Sequence, residues 1–221
     1  MGETVTLHTR NGEIGGYAAR PARTPAGGIV LVQEIFGVNA HIRGVVDRFA
    51  EEGYATVAPA VFDHVERGIE LGYDEAGFKR GRDLVGQLGI DRAVADVAAA
   101  AGWLRDQGVA RVAAVGYCWG GSVAFLANTR LGLPSVSYYG GRTLPFVHEV
   151  PRAPMLFHFG EADPYITPAD VQAHRDALPD AQVHTYPAGH GFNCEQRADY
   201  DAASAKLALE RTLAFLRAAL A

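Results

Sequence analysis

The sequence predicts an α/β fold built on a mostly parallel, doubly wound sheet. Short apolar runs alternate with segments that repeat apolar residues at helical spacing, which is typical of strands followed by helices. The run Ile29–Val32 is apolar at every position, as in a strand covered on both faces. Asn11-Gly12 supplies the positive φ angles of a tight turn, so an antiparallel hairpin is expected at the N-terminus. We expect one domain over residues 1–221, because α/β folds of this length are commonly undivided.

The elements follow from local signals in chain order. Asn39 is a helix cap, Gly53 ends that helix, and Thr167-Pro168 begins another as cap and first-turn proline. Strands are predicted at residues 4–8, 14–18, 29–32, 55–58, 112–115, 135–139, 155–159 and 182–186. Helices are predicted at 39–52, 78–88, 91–107, 123–128, 168–178 and 202–220. Residues 59–77 lack periodicity and are expected to form a long surface loop beside a site.

Composition excludes several classes of partner. The net charge of −5 and the absence of a Lys/Arg block disfavour binding to nucleic acid or to an anionic membrane, which indicates a small-molecule ligand. No segment approaches the roughly 20 apolar residues that span a bilayer, and no basic, apolar leader begins the chain. The chain has only two cysteines, which fits the reducing cytoplasm. We therefore expect a cytoplasmic protein in which both cysteines are free thiols. The acidic composition favours a monomer.

The segment Val115–Ser122 carries the strongest functional signal. It reads Val-Gly-Tyr-Cys-Trp-Gly-Gly-Ser between an apolar strand and a helix, which is the nucleophile elbow of α/β-hydrolases with cysteine in place of serine. Gly116 and Gly120 let strand and helix pass closely while Cys118 takes a strained backbone conformation. The helix N-terminus behind the elbow favours the thiolate form of Cys118.

Two further reactive side chains follow strands, where ligands of a doubly wound sheet bind. Asp163 follows the strand at 155–159, and His190 follows the strand at 182–186. The chain order is nucleophile, acid, base, which is that of an α/β-hydrolase triad. The sequence therefore predicts catalysis by Cys118, Asp163 and His190.

Two of these three residues have a simpler interpretation, whereas His190, between two glycines, is harder to explain as a core residue. Cys118 could be a small buried hydrophobic residue, and Asp163 before a proline could only start a turn. Glu161 is a rival acid, although Asp163 lies where the loop has left the strand. His158 and His64 show no ligand spacing with a second His, Cys or carboxylate, so neither a metal site nor a cofactor is expected.

Glu34 follows the most apolar strand, where an acid is costly unless it has a partner. A solvated loop carboxylate is the simpler interpretation. However, the loop after this strand is where α/β-hydrolases place the second N–H of an oxyanion hole. We therefore expect the backbone N–H groups of Ile35 and Trp119 to bind the substrate oxyanion, with Glu34 facing Cys118.

Four segments together resemble the dienelactone hydrolase (carboxymethylenebutenolidase) family, and the resemblance extends over nearly the whole chain. They are Gln33–Gly37, Gly116–Gly121, Gly160–Pro164 and Gly189–Phe192. The resemblance implies that the triad opens an enol-lactone through a thioester acyl-enzyme, with the Ile35 and Trp119 amides holding the oxyanion. It also implies that Glu34 contacts the thiol of Cys118 and helps to deprotonate it when substrate binds.

The sequence departs from this family where the substrate carboxylate is bound. The family's two arginines correspond here to Cys194 and Phe78. Arg82 and Arg197, each one helical turn away if both segments are helical, could replace them, although a solvated arginine is the simpler interpretation of either. Further candidates to line the pocket share an aromatic ring near a strand end or in a motif: Phe36, Phe78, Tyr139 and Phe192.

The sequence thus predicts a cysteine-dependent hydrolase of a small activated ester or lactone. The substrate that the family resemblance favours is a dienelactone. One alternative is a broader carboxylesterase or thioesterase that uses the same triad. Another is a non-catalytic, redox-sensing binding protein in which Cys118 is oxidised rather than acylated.

Overall fold

The computed structural model describes residues 2–221, which form two compact units that meet in sequence between Ala114 and Val115. The predicted α/β fold with an antiparallel N-terminal hairpin is confirmed, since strands and helices alternate after the hairpin. The expectation of a single domain stays a prediction. None of the helices within residues 2–221 combines the length and the apolar character needed to cross a membrane.

The first unit has strands in the order β1-β2-β4-β3. Its elements are β1 (Glu3–Thr9), β2 (Gly12–Ala19), β3 (Gly28–Val32), α1 (Ala40–Glu51), β4 (Ala55–Pro59), a 3-10 turn (Val61–His64), α2 (Glu75–Leu88) and α3 (Ile90–Asp106). The β1–β2 and β2–β4 pairs are antiparallel and the β3–β4 pair is parallel. Gly12 takes a φ of 118° in the hairpin turn, which a residue with a Cβ rarely adopts.

The expected long loop at 59–77 is corrected by the structure. Val61 and Phe62 are buried in a 3-10 turn, so apolar burial orders the start of this segment. Its end is helical, because the Asp74 side chain accepts a hydrogen bond from the N–H of Gly77 and begins α2 at Glu75, three residues earlier than predicted.

The second unit has strands in the order β5-β6-β7-β8, with β5 (Val112–Tyr117) crossing the boundary between the units. The other elements are α4 (Trp119–Leu131), β6 (Ser135–Tyr138), a 3-10 turn (Leu144–Phe146), β7 (Met155–Gly160), α5 (Pro168–Ala177), β8 (Gln182–Tyr186) and α6 (Ala202–Ala219). The β6–β7 and β7–β8 pairs are parallel, which brings the ends of these strands to one edge. α4 begins at Trp119, four residues before the predicted start.

Candidate active site

Cys118 lies at the turn between β5 and α4 in a strained backbone conformation. Its φ of 54° and ψ of −122° are unusual for a residue with a side chain. Two backbone hydrogen bonds hold this turn: the N–H of Cys118 donates to the carbonyl of Tyr138 at 2.9 Å, and the N–H of Gly121 donates to the carbonyl of Cys118 at 2.9 Å. The end of β6 therefore fixes the backbone of the candidate nucleophile.

The close approach of β5 and α4 depends on Gly116. A Cβ at this position would collide with the carbonyl oxygen of Gly120, so an alanine forces strand and helix apart. We expect Gly116→Ala to lose about 3 kcal/mol of unfolding free energy, near the upper end for an overpacked site. Urea denaturation measures this loss.

The matched control for Gly116→Ala is Gly102→Ala at a half-buried position of α3. A Cβ at Gly102 meets nothing within 4 Å, so this variant is expected to be as stable as the wild type or up to about 1 kcal/mol more stable. Equal stability of the two variants would contradict the claim that Gly116 sets the strand-to-helix distance.

The second unit brings the three predicted catalytic side chains together. Nδ1 of His190 lies 2.7 Å from Oδ2 of Asp163, and Nε2 of His190 lies 3.1 Å from Sγ of Cys118. The Asp163 and His190 residues are 6% and 5% exposed, whereas Cys118 is partly accessible. The imidazole therefore connects a buried carboxylate to an accessible sulfur.

His190 has an unusually high pKa for a buried histidine. Burial by itself lowers the pKa of the imidazole, but attraction to the Cys118 sulfur and hydrogen bonds to Asp163 and Cys118 outweigh burial and raise it from 6.5 to about 10. At neutral pH the ring is consequently an imidazolium, which can donate a proton through each nitrogen.

The structure distinguishes Asp163 from the rival acid Glu161. Glu161 is exposed, and one of its carboxylate oxygens accepts a hydrogen bond from the hydroxyl of Thr185 at 2.9 Å. Asp163 instead accepts from the N–H of Tyr165 at 2.8 Å through Oδ1, which leaves Oδ2 directed at His190. Asp163 is thus the acid that the geometry pairs with the imidazole.

Two tyrosine rings flank the His190 imidazole. The ring of Tyr139, a fully buried residue with a positive φ of 40°, lies 5.1 Å from it. The ring of Tyr165 meets the imidazole nearly at right angles, 5.2 Å away, and Tyr165 is 56% exposed. Sequence reasoning missed Tyr165. The available signal was its position two residues after the predicted acid.

The guanidinium of Arg197 packs against the glycine that follows His190. Gly191 has a φ of 83°, and a Cβ built there would lie 2.5 Å from Nε and 2.6 Å from Cζ of Arg197, so the guanidinium packs on Gly191. The backbone N–H of Arg197 donates to the carbonyl of Cys194, so Arg197 lies in a turn. The segment from Cys194 to Arg197 is therefore not the helix that would have placed the two residues one helical turn apart. Cys194 and Phe192 are fully buried.

Of the remaining predicted residues, Trp119 is the first residue of α4, and the others lie in the first unit. Glu34 is fully buried, and the hydroxyl of Tyr73 donates to its Oε2 at 3.2 Å, so it is not the solvated loop carboxylate of the simpler interpretation. Phe36 is fully buried and packs edge-on against Phe78 with the ring centroids 5.0 Å apart. Sequence reasoning did not identify Tyr73, since its pairing with Glu34 spans 39 residues of chain.

The Ile35 loop is held closely by α2. Gly81 packs on it so tightly that a Cβ there would collide with the Ile35 carbonyl oxygen. Arg82, the next residue of α2, is exposed. The roles expected for Glu34, for the Ile35 amide and for Arg82 in substrate binding stay predictions.

Comparisons with known proteins show what this chain is similar to. The profile of the dienelactone hydrolase family matches residues 14–220. A carboxymethylenebutenolidase from Pseudomonas putida is 35% identical, with 97% of this chain and 95% of that protein covered. Carboxymethylenebutenolidase 1 from Cupriavidus pinatubonensis is 31% identical, with coverage of 98% and 97%. A crystal structure from Klebsiella pneumoniae, of a protein classed with the dienelactone hydrolases, superposes with a TM-score of 0.88 at 29% identity and covers 97% of each chain.

Proposed function

The chain belongs to the dienelactone hydrolase family of ester and lactone hydrolases, and from that premise we propose that it opens a small enol-lactone through a thioester formed on Cys118. One observation carries the proposal: a single imidazole lies within hydrogen-bond distance of both Asp163 and Cys118. A sulfur nucleophile suits an activated ester or lactone better than an amide, because an amide demands more help to its leaving group.

The proposed first half-reaction forms the acyl-enzyme. The Cys118 sulfur attacks the lactone carbonyl, the ring C–O bond breaks, and Nε2 of His190 gives its proton to the departing enolate oxygen. The product of this step is a thioester that still carries the whole ring-opened substrate, whose enol becomes a ketone. The N–H of Trp119, the first residue of α4, is one proposed donor to the oxyanion; Ile35 is the predicted second donor.

The proposed second half-reaction releases the acid. His190, now neutral, accepts a proton from water as the water oxygen attacks the thioester carbonyl. The C–S bond then breaks, the sulfur leaves as thiolate, and the imidazolium is restored. Asp163 keeps Nδ1 protonated and stabilises the cation throughout. Lactone plus water gives one keto acid, so no other reactant is needed.

Mass spectrometry of acid-quenched reactions tests this proposal. An enol-lactone adds its full mass to the enzyme because no leaving group departs, whereas an aryl ester adds only its acyl group. Neutral hydroxylamine is expected to cleave the adduct, as it does a thioester, and Cys118→Ala is expected to form none. Turnover of enol-lactones by Cys118→Ala would contradict the cysteine mechanism. Turnover confined to aryl esters or thioesters favours the broader esterase, and no turnover at all favours the redox sensor.

Arg197 is the proposed group for a substrate carboxylate, since its guanidinium packs on the glycine next to His190. We expect Arg197→Ala to raise the KM of a carboxylate-bearing lactone about tenfold, which is roughly 1.4 kcal/mol, while kcat changes little. A neutral isostere of the same lactone is expected to show no change in KM.

Arg82→Ala is the matched comparison for this prediction, because Arg82 is an exposed arginine on α2. An effect of Arg82→Ala confined to the charged substrate, with none for Arg197→Ala, would assign the carboxylate to Arg82. Equal loss for charged and neutral substrates in Arg197→Ala would show that Arg197 supports the loop and does not bind the carboxylate.

A further inference from the structure

His158 is a fully buried histidine in the middle of the second unit. It lies on β7, opposite Tyr138 on β6, and both ring nitrogens are hydrogen-bonded. Nδ1 lies 2.7 Å from the Tyr186 hydroxyl, and Nε2 lies 2.9 Å from the Thr212 hydroxyl on α6. The Thr212 hydroxyl in turn lies 2.7 Å from the Tyr138 hydroxyl. These four residues form a buried network that neither substrate nor the reacting atoms touch in the proposed mechanism.

The network is uncharged. Burial, with smaller contributions from His184 and Arg211, holds the pKa of His158 well below its usual value, and burial holds the pKa of Tyr138 well above its own. A neutral imidazole donates through one nitrogen and accepts through the other, so His158 donates one and accepts the other of its hydrogen bonds to Tyr186 and Thr212. A fully satisfied buried network of this kind specifies one arrangement of the elements that it joins.

The backbone of the same residues holds the segments that carry the triad. The carbonyl of Tyr138 accepts from the N–H of Cys118 at 2.9 Å, and the carbonyl of His158 accepts from the N–H of Tyr139 at 2.7 Å. The carbonyl of Tyr186 accepts from the N–H of Glu161 at 2.8 Å and from that of Ala188 at 2.7 Å. Glu161 begins the loop that carries Asp163, and Ala188 is the second residue of the loop that carries His190.

We propose that His158 is a positioning residue, whose imidazole ties Tyr138, Tyr186 and Thr212 together and thereby fixes the distance between Nε2 of His190 and Sγ of Cys118. The network meets the backbone of all three triad segments, and a shift of one strand end would move one triad member relative to the others. A misplacement of about 1 Å can cost about 10²-fold in rate. This inference rests on the proposed function only for its kinetic readout.

Three variants test the proposal. His158→Phe removes both ring hydrogen bonds, Thr212→Val removes the central hydroxyl at nearly constant shape, and Thr212→Ser keeps that hydroxyl. For the first two we expect kcat on an enol-lactone to fall 10- to 100-fold with KM within twofold of wild type, measured well below each variant's Tm. Alkylation of Cys118 by iodoacetamide should slow, and the NMR signal of the His190 imidazole should shift. Thr212→Ser is expected to behave as wild type.

His174→Phe is the matched control. His174 is also buried, on α5, where it packs edge-on against Phe157 and Phe159 with its Nδ1 bonded to the carbonyl of Asp170. It should lose stability as His158→Phe does, yet keep the wild-type kcat, alkylation rate and His190 signal.

The outcomes decide whether His158 positions the triad or only stabilises the fold. If His158→Phe and Thr212→Val lower the Tm as the control does but leave kcat, alkylation and the His190 signal unchanged, the proposal is overturned. If His158→Phe does not fold, Thr212→Val and Tyr186→Phe decide by the same three readouts. If the wild type turns over no ester or lactone, the proposed function fails, while the alkylation rate and the NMR signal still decide the role of His158.

Discussion

Replacement of Cys118 by alanine is expected to abolish hydrolysis of enol-lactones and aryl esters while the fold is retained. The side chain is partly accessible, so its loss opens no cavity in the core. Without the sulfur, only water can attack the carbonyl, and the loss in kcat is expected to be roughly 10⁴-fold or more, as for other nucleophiles of triad enzymes. Steady-state kinetics with circular dichroism of the same sample measure both properties.

Cys118→Ser separates the chemistry of sulfur from the presence of a nucleophile. A serine hydroxyl is a weak nucleophile until a general base removes its proton, whereas the wild-type imidazole is already cationic and is poised to pair with a thiolate. We therefore expect Cys118→Ser to be far slower than wild type and faster than Cys118→Ala. A wild-type rate in Cys118→Ala would assign the nucleophile elsewhere, whereas a wild-type rate in Cys118→Ser would contradict only the requirement for sulfur.

Much of this site could be predicted from the sequence because its signals are local. The elbow at Cys118 depends on glycines within two residues of it, and the structure shows the close contact of Gly116 with Gly120 that this spacing demands. Asp163 and His190 come soon after β7 and β8, and parallel strands that end at one edge bring such residues together whatever their separation in sequence.

Other features could not be predicted because they depend on packing between distant segments. Nothing near His158 in sequence indicates its bonds to Tyr186 and Thr212, which are 28 and 54 residues away. Its position within an apolar strand indicates burial and nothing more. The segment at 59–77 was wrongly expected to be a loop throughout, since the burial of Val61 and Phe62 is set by the elements that cover them.

Asp163→Asn is expected to lower kcat roughly 10³- to 10⁴-fold with little change in fold, as in other triads that lose this carboxylate. An amide can still meet Nδ1 of His190 at the 2.7 Å distance, but it offers no charge to stabilise the imidazolium. The amide also permits the imidazole tautomer that carries its proton on Nε2 instead of Nδ1. The pKa of His190 is expected to fall from about 10 toward its ordinary value, because the carboxylate is one of the groups that raise it.

NMR titration of the His190 imidazole measures this fall directly, and the pH dependence of stability gives its sign independently. Since folding raises the pKa of His190 from 6.5 to about 10, its cation stabilises the wild type fully below pH 6.5, and this contribution is lost as the pH rises toward 10. The stability advantage of wild type over Asp163→Asn should therefore shrink across that interval.

Glu161→Gln is the matched control, because this exposed acid accepts a hydrogen bond from Thr185 and not from the imidazole. A His190 titration shifted as far by Glu161→Gln as by Asp163→Asn would contradict the assignment of Asp163 as the acid of the triad.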